Sequence, residues 1–298
     1  MATMSGIARP VSVEGVLDVL DEDPATQVLA GGTDFMVEVN YGHRKPQSIV
    51  ALSRVAGMRT WQVVEDHLVI GAGVTYSQVM KEQLADLLPG LAQAARTVGS
   101  PQIRNAGTIG GNLGTASPAG DSLPILLALD ALVNIRSKHS SRSLRVDEYV
   151  IGPKKHALQP GEIIVSVRIP LSDTSQEFLK VGTRNAMVIS VAGLALVVDW
   201  KSGRVGCGLG SVGPTPIRAS EAEAWLAGVI DWENRRIPDR DGYGQEFGRL
   251  VARAASPIDD HRSSAAYRSY ALSVCGKRAY ERIRRQQRQV LPGIVNGE

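Results

Sequence analysis

Two short glycine-rich segments combine the residue types that bind anionic ligands through the backbone. They read AGGTD at residues 30–34 and TIGGN at residues 108–112, and each places a glycine pair beside a threonine. Glycine permits a positive φ angle and a close approach of the backbone to a ligand, and successive amide N–H groups in a tight turn form a concave donor set for anions. Two such segments suit a pyrophosphate better than a single phosphate. Glycine pairs are also common in plain turns, so the spacing alone leaves both interpretations open.

Other nucleotide and metal sites find little support in the sequence. No lysine completes a Walker pattern, and no GxGxxG follows the first predicted strand. Cys207 and Cys275 cannot supply the four thiolates of an ordinary iron–sulfur cluster. Both are predicted to be inert packing residues. No His or Cys pair has zinc-ligand spacing, so a metal site is not expected.

The composition favours a compact protein of two domains, or of one domain with an appendage. The chain has 298 residues, of which 43% are hydrophobic and 21% charged. No apolar run is long enough to cross a bilayer, and the first residues lack a signal-peptide pattern, so a cytoplasmic location is expected. A net charge of +3 with 5% aromatic residues does not favour a nucleic-acid partner.

Asp121 and Lys180 are further polar candidates, each with two interpretations. Asp121 precedes an apolar, leucine-rich run at residues 123–131, which is predicted to form a buried helix. Its carboxylate could cap that helix or accept a hydrogen bond from a ligand hydroxyl, and it could do both. Lys180 could simply anchor a strand end at the surface.

Helix-capping patterns set the expected starts of several helices. Ser12 precedes apolar residues at helical spacing, and Thr75 is expected to cap a helix over residues 76–88. Ser220 and Glu223 have the spacing of a capping box, in which each side chain satisfies the backbone of the other residue.

The domain boundary is predicted to lie between two groups of strands. Strands are predicted over residues 144–150 and 162–170, and a further pair over residues 186–200 and 204–212. Between the two groups the composition turns polar.

The polar stretch divides the chain into two predicted domains. The first covers residues 1–174, with subdomains of about 1–55 and 56–174. The second covers residues 175–298 and ends in a basic helical tail, which could be a solvated helix face or a docking surface.

Four blocks carry a resemblance to a known family. They are LAGGTDFMVEV, RNAGTIGGNLGTASPAGDSLPILLALDA, FLKVGTRNAMVIS and GSVGPTPIRASEAEAWLAG. Together they resemble the FAD-binding medium subunit of the molybdenum hydroxylases, the family of xanthine dehydrogenase and carbon monoxide dehydrogenase. The resemblance implies an α+β chain with the two-subdomain FAD-binding fold of the vanillyl-alcohol oxidase and p-cresol methylhydroxylase type. A smaller α+β C-terminal domain, with a short antiparallel sheet and helices, would follow. Gly114 departs from the pattern, because a larger residue is usual there.

The resemblance also implies a set of FAD-binding residues. They are Val28, Leu29, Ala30, Gly31, Gly32, Thr33, Asp34, Phe35, Thr108, Ile109, Gly110, Gly111, Asn112, Thr115, Asp121, Ile164 and Lys180. The first segment would wrap the pyrophosphate, and Thr108 to Asn112 would form the second wall. Thr115 and Asp121 would reach FAD hydroxyls or phosphates, Ile164 would pack against the isoalloxazine, and Lys180 would approach the flavin. A Cβ at Gly110 or Gly111 would then collide with the dinucleotide.

The implied function is electron transfer within a complex. A large partner subunit would hydroxylate a substrate, such as a purine or another N-heterocycle, at a molybdenum cofactor. Electrons would pass through the [2Fe–2S] clusters of a small partner subunit to FAD, and then to NAD, a quinone or oxygen. The complex would be a dimer of heterotrimers. No catalytic side chain is expected in this chain, because the redox chemistry belongs to the cofactor.

Two other functions are weighed against this one. A free-standing FAD-dependent oxidase of the same fold would need its own substrate domain, and no His/Tyr/Arg cluster suggests one. A nucleotide-binding or scaffolding module could use the arginine-rich end as a nucleic-acid contact, with strongly salt-dependent affinity.

Overall fold

A computed structural model describes residues 6–286 and shows an α+β chain. The strands are β1 (Gly6–Ala8), β2 (Gln27–Leu29), β3 (Ser48–Ala51), β4 (Trp61–Val64), β5 (His67–Gly71), β6 (Leu132–Arg136), β7 (Ser141–Arg145), β8 (Val150–Gly152), β9 (Lys155–His156), β10 (Ile163–Pro170), β11 (Thr174–Val181), β12 (Ala192–Asp199), β13 (Arg204–Gly210) and β14 (Ile217–Arg218). The α-helices are α1 (Val13–Glu22), α2 (Phe35–Asn40), α3 (Tyr76–Val79), α4 (Glu82–Leu87), α5 (Pro89–Thr97), α6 (Pro101–Ala106), α7 (Ile109–Thr115), α8 (Ser122–Ala128), α9 (Val146–Tyr149), α10 (Ser220–Val229), α11 (Tyr243–Ala254) and α12 (Ala265–Gln286). The predicted basic tail beyond residue 286 lies outside the described residues.

Three main sheets organise these elements. A parallel sheet has the order β1-β3-β2, and an antiparallel sheet has the order β4-β5-β10-β6-β7. A third, antiparallel sheet has the order β11-β12-β13-β14. The first two sheets form the N-terminal part (residues 6–170), and the third sheet with α10 to α12 forms the C-terminal part (residues 174–286). None of the helices described has the length and apolar character needed to span a membrane.

The third sheet separates two apolar cores. Strand β12 is buried along its whole length. Ala195 and Val197 pack into the core of the N-terminal part, whereas Leu194 and Leu196 pack into a second core with α10 to α12. Successive strand residues face opposite sides of a sheet, so both faces are covered.

Glycines on one face of β13 let helix α8 lie directly on the strand. Gly206, Gly208 and Gly210 alternate along the strand and therefore share a face. A Cβ on Gly206 would overlap the carbonyl oxygen of Ala128, and one on Gly208 would overlap that of Pro124. This contact fixes the C-terminal part against α8, which is the buried helix that the apolar run predicted.

Two of the predicted caps are confirmed. Ser12 Oγ accepts a hydrogen bond from Gly15 N at 3.1 Å. Thr75 and Gln78 form a capping box at the start of α3. The single helix predicted over residues 76–88 is wrong, because extended backbone at Lys81 divides it into α3 and α4.

The predicted capping box of Ser220 and Glu223 is wrong. Helix α10 begins at Ser220 itself, and its N-terminus has no side-chain cap. The Glu223 carboxylate instead accepts hydrogen bonds from Cys207 N at 2.6 Å and from Arg218 Nε at 2.8 Å. A charged partner and a buried amide on the neighbouring strands outcompete the local backbone for this carboxylate.

Two predicted strands are shorter than their patterns. The strand predicted over residues 144–150 gives way at Val146 to the short helix α9, whose end residues are buried. The strand predicted over residues 186–200 begins only at Ala192, and a loop at residues 182–191 precedes it. Met187 and Ile189 of that loop are exposed rather than paired, whereas Val191 at its end is buried.

Both cysteines are buried in the second core. Cys207 lies on β13 and Cys275 on α12, and both are free thiols. Burial raises the pKa of each thiol, which keeps it in the unreactive neutral form. Their predicted role as packing residues is confirmed.

Candidate functional site

The first glycine segment follows β2 and leads into α2. Gly32 has a φ of +75°, a backbone conformation that glycine adopts without strain. Phe35 begins α2 with its side chain buried, and the Arg44 guanidinium lies 4.7 Å from the centre of its ring. Within residues 6–286, the N–H groups of residues 31–34 donate to no protein acceptor. This turn therefore presents consecutive backbone donors that a ligand could take up.

The second glycine segment begins a helix and is not a turn. Thr108 is the N-cap of α7, and its Oγ1 accepts a hydrogen bond from Gly111 N at 2.9 Å. The segment thus has the same residue types as the first but a different backbone conformation.

The amides at the start of α7 are already occupied. Ile109 N donates to Val74 O at 3.0 Å, and Gly110 N donates to Ala72 O at 2.8 Å. The second set of free donors that the matching glycine patterns predicted is therefore absent from Ile109 to Gly111. Ile109 to Gly111 can therefore line one side of a ligand site, whereas residues 31–34 offer the free amide donors.

Different neighbours limit the size of the side chain at the two glycines of the second segment, Gly110 and Gly111. A Cβ on Gly110 would lie 2.5 Å from the Ala72 Cβ, so the protein's own packing already excludes it. The size limit at Gly110 therefore has a cause within the protein, and the predicted collision with a dinucleotide stays a prediction. A Cβ on Gly111 would lie 3.0 Å from Thr108 Oγ1 and 3.7 Å from the Ala30 Cβ, so this glycine faces the first segment.

The structure brings the two glycine segments together. A Cβ on Gly31 would overlap the carbonyl oxygen of Ala106, which leaves no space between the backbones. Thr115 Oγ1 lies 3.2 Å from Asp34 Oδ2 and also donates to Gly111 O at 3.0 Å. Residues about 80 positions apart in the sequence therefore form one continuous, half-exposed surface.

Asp121 and Lys180 form a buried ion pair. Lys180 Nζ lies 2.6 Å from Asp121 Oδ2 and donates to Thr97 O at 3.2 Å, and each charged side chain is only 7% exposed. Asp121 directly precedes α8 but makes no side-chain cap. Burial raises the pKa of the Asp121 carboxyl, and the Lys180 ammonium opposes that rise. The capping role for Asp121 and the surface role for Lys180 are both wrong.

Asn112 connects the ion pair to the second glycine segment. Its Oδ1 accepts a hydrogen bond from Ser122 Oγ at 2.6 Å, and Ser122 is the residue after Asp121. A Cβ on Gly120 would lie 2.9 Å from Asn112 Nδ2. Helices α7 and α8 therefore meet at a polar junction beside the glycine segments.

Other candidate residues contribute through the core or the backbone. Ile164 lies on β10 opposite Ile135 and is 6% exposed, and a bulge follows it. Its neighbour Val165 accepts a hydrogen bond from Ala72 N at 3.0 Å, next to the start of α7.

The Ile109 side chain is fully buried, so it can face a ligand only through its backbone. Val28 and Leu29 belong to β2 and pair with β3.

Tyr76 is a polar residue of this region that the sequence patterns did not reveal. Its side chain is 4% exposed, and a Cβ on Gly107 would lie 3.1 Å from its ring. Burial and the nearby Asp121 charge raise the pKa of the phenol, and the Ser122 side chain opposes that rise. The Thr75 cap placed Tyr76 at a helix start, but no local pattern indicates where its hydroxyl points.

Comparisons with known proteins identify the family of the chain. Residues 3–172 match the family described as FAD binding domain in molybdopterin dehydrogenase, and residues 177–283 match the CO dehydrogenase flavoprotein C-terminal domain. The chain is 34% identical to the nicotinate dehydrogenase FAD-subunit of Eubacterium barkeri over 222 residues, which cover 70% of this chain and 74% of the relative. It is 29% identical to the nicotine 6-hydroxylase medium subunit of Paenarthrobacter nicotinovorans, over 88% of this chain and 90% of the relative.

A solved structure shows the same fold. The reconstituted CO dehydrogenase from Oligotropha carboxidovorans matches 96% of this chain and 99% of its own with a TM-score of 0.85, at 24% sequence identity. The resemblance and the fold class predicted from the sequence are confirmed. The chain therefore belongs to the family of FAD-binding subunits of the molybdenum-containing dehydrogenases.

Proposed function

We propose that this chain carries FAD as the electron-transfer subunit of a molybdenum hydroxylase complex. The observation that carries the proposal is the run of free backbone donors at residues 31–34, packed against the start of α7. Four adjacent N–H groups with no protein acceptor are costly unless water or a ligand satisfies them. The pyrophosphate of FAD offers oxygens of the matching charge.

The remaining candidate residues extend along the surface on either side of these donors. Residues 28–35 would wrap the pyrophosphate, and Thr108 to Asn112 would wall it. Thr115 would donate to an FAD hydroxyl or phosphate oxygen, and the Asp121 carboxylate would accept a hydrogen bond from an FAD hydroxyl. Ile164 and Lys180 would lie toward the isoalloxazine. This placement of the dinucleotide is supported by the half-exposed surface that joins the two glycine segments.

FAD, when bound, supplies the capacity to take up and release electrons. The residues of this chain bind and orient the dinucleotide. The Lys180–Asp121 pair places a buried charged group at the junction between the two parts. No side chain of this chain needs to transfer a proton in the proposed role.

The proposed partners are a large subunit with the molybdenum cofactor and a small subunit with [2Fe–2S] clusters. Relatives described as an FAD-subunit and a medium subunit support a chain that works within a complex. Their names refer to nicotinate and nicotine, which supports an N-heterocycle or purine as the substrate of the large subunit. The final acceptor would be NAD, a quinone or oxygen, and the complex would be a cytoplasmic dimer of heterotrimers.

The test is purification from the native host at low salt, followed by an absorption spectrum and a denaturing gel of the same sample. We expect a flavin spectrum together with one larger and one smaller chain. A folded, colourless chain that takes up no added FAD would contradict the proposal. A flavin spectrum from a chain without companions would instead support a free-standing oxidase.

A further inference from the structure

The Lys180–Asp121 pair joins the two parts of the chain. Lys180 lies on β11 of the C-terminal part, whereas Asp121 and Thr97 belong to helix ends of the N-terminal part. Both acceptors of the Lys180 ammonium, Asp121 Oδ2 at 2.6 Å and Thr97 O at 3.2 Å, thus lie across the boundary. A single side chain of the C-terminal part reaches into the region proposed for FAD.

The carboxylate of Asp121 keeps one oxygen for another partner. The described hydrogen bonds to this group, from Lys180 Nζ and from Thr97 Oγ1 at 3.3 Å, both go to Oδ2. The Thr97 hydroxyl has a nearer acceptor in Ala94 O at 2.8 Å, so Lys180 supplies the stronger contact. Neither bond uses Oδ1, and α8 does not use the carboxylate as a cap.

The backbone holds both ends of the pair in place. Lys180 lies near the end of β11, the edge strand of the third sheet, and pairs there with Gly193 on β12. The same strand is tied to α5 by a hydrogen bond from Phe178 N to Gln93 Oε1 at 2.6 Å. Helix α8, which Asp121 precedes, lies directly on the glycine face of β13. The ion pair therefore has little freedom to rearrange.

The charge state of Asp121 depends on its contact with Lys180. Burial raises the pKa of the carboxyl, and Lys180 is the cation that opposes the rise. Tyr76 on α3 is a further titratable group near Asp121, and burial raises the pKa of its phenol, so that it stays neutral. A buried carboxylate without a partner would take up a proton or destabilise the fold.

We propose that Lys180 is a positioning residue that acts through Asp121. It fixes the carboxylate so that Oδ1 accepts a hydrogen bond from an FAD hydroxyl, and the C-terminal part thereby completes the FAD site. The inference rests on the proposed FAD site. It differs from a role in which Lys180 only contacts the flavin directly, because it makes the effects of the two residues interdependent.

The test uses the full chain and measures FAD affinity against pH for four proteins. They are the wild type, Lys180→Met, Asp121→Asn and the double variant. We expect Lys180→Met to weaken FAD binding by roughly 10- to 100-fold near neutral pH, the size expected when a charged hydrogen bond is lost. Its affinity should fall as pH decreases, with a midpoint at higher pH than that of the wild type. The double variant should bind FAD like Asp121→Asn, without that midpoint.

Two controls keep the outcomes distinct. Lys277→Met removes an exposed lysine of α12 and should leave FAD affinity and its pH profile unchanged. If Lys180→Met does not fold, Asp121→Asn and the double variant remain comparable. The first leaves the Lys180 ammonium with Thr97 O and the new amide oxygen as acceptors, and the second leaves no charge at the pair. Additive losses in the double variant, or an unshifted midpoint in Lys180→Met, would overturn the inference. A folded wild type that binds no FAD would overturn the proposed function instead.

Discussion

Gly31 lies so close to Ala106 that a Cβ on Gly31 would overlap the Ala106 carbonyl oxygen. This contact joins the turn that carries the free amides to the end of α6, just before the cap of α7. The small size of Gly31 is therefore required by the protein itself. The same contact sets the position of the donors at residues 31–34 relative to the wall formed by α7.

We expect Gly31→Ala to destabilise the chain by about 1–3 kcal/mol, because the added methyl group would force two backbone segments apart. FAD affinity should fall as well, since the donors would move from the wall. Urea unfolding of the FAD-free protein measures the first effect, and a fluorescence titration with FAD measures the second.

The matched control is Gly114→Ala. A Cβ there meets no atom within 4 Å, and the residue lies inside α7. This variant should keep or gain stability, by up to about 1 kcal/mol, because alanine favours helix. Equal unfolding free energies for the two variants would show that the Gly31–Ala106 contact is not as close as described.

Thr108→Val tests the cap of α7. Valine has the shape of threonine but removes the oxygen that accepts from Gly111 N, so the free energy of unfolding should fall by about 1 kcal/mol. Thermal unfolding of both proteins measures the difference. Thr60→Val, at an exposed position whose hydroxyl makes only a 3.5 Å contact, should have little effect. A Thr108 variant as stable as the wild type would argue against the cap.

Substitution of Arg268 should lower the free energy of unfolding more than substitution of most other charged residues of the C-terminal part. Its side chain is 5% exposed, and it donates to Val191 O and Ser211 O, each at 2.7 Å, and to Asp260 Oδ1 at 2.7 Å. Arg268→Met should lower the free energy of unfolding by about 3 kcal/mol, because two carbonyls and a carboxylate lose their donor.

Arg249→Met is the control for this change. Arg249 forms an exposed i,i+3 pair with Glu246, and such pairs contribute less than about 1 kcal/mol. Denaturant unfolding of both variants should therefore separate them clearly. If Arg268→Met loses no more stability than Arg249→Met, the buried hydrogen bonds of Arg268 do not stabilise the C-terminal part as expected.

Asp260 should make the stability of the chain pH-dependent in acid. Backbone N–H groups of Arg262 and Ser263, together with the Arg268 guanidinium, lower the pKa of Asp260 from 3.8 to about 2. A carboxyl with a lowered folded-state pKa stabilises the protein above its unfolded pKa, and this contribution is lost as pH falls through the folded value. The melting temperature should therefore drop between about pH 4 and pH 2. Asp260→Asn should show a smaller drop over that window, and an equal drop would contradict this role.

Individual elements could be predicted because their signals are local, whereas the two-subdomain architecture was implied by the family resemblance. The apolar run after Asp121 indicated the buried helix α8, and the apolar strands after residue 190 indicated the antiparallel sheet. Ser12 and Thr75 marked helix starts through side-chain bonds to residues three positions away. Such patterns need no knowledge of the rest of the fold.

The details of the site depend on contacts that are distant in sequence. The TIGGN segment forms a helix because Val74 and Ala72 accept its first amides, a tertiary contact that overrides the poor helix propensity of glycine. Lys180 and Asp121 are 59 residues apart, and nothing local indicates that they pair. The same residue types at 30–34 and 108–112 therefore predicted two equal donor sets, whereas the structure leaves free amides at the first.

Calorimetric titration of the purified, FAD-free chain with FAD, with riboflavin as the comparison ligand, tests the proposed pyrophosphate site. We expect one FAD to bind per chain and riboflavin to bind far more weakly, because riboflavin lacks the pyrophosphate that residues 31–34 would hold. Equal affinity for the two ligands, or no FAD binding by a folded chain, would contradict that site.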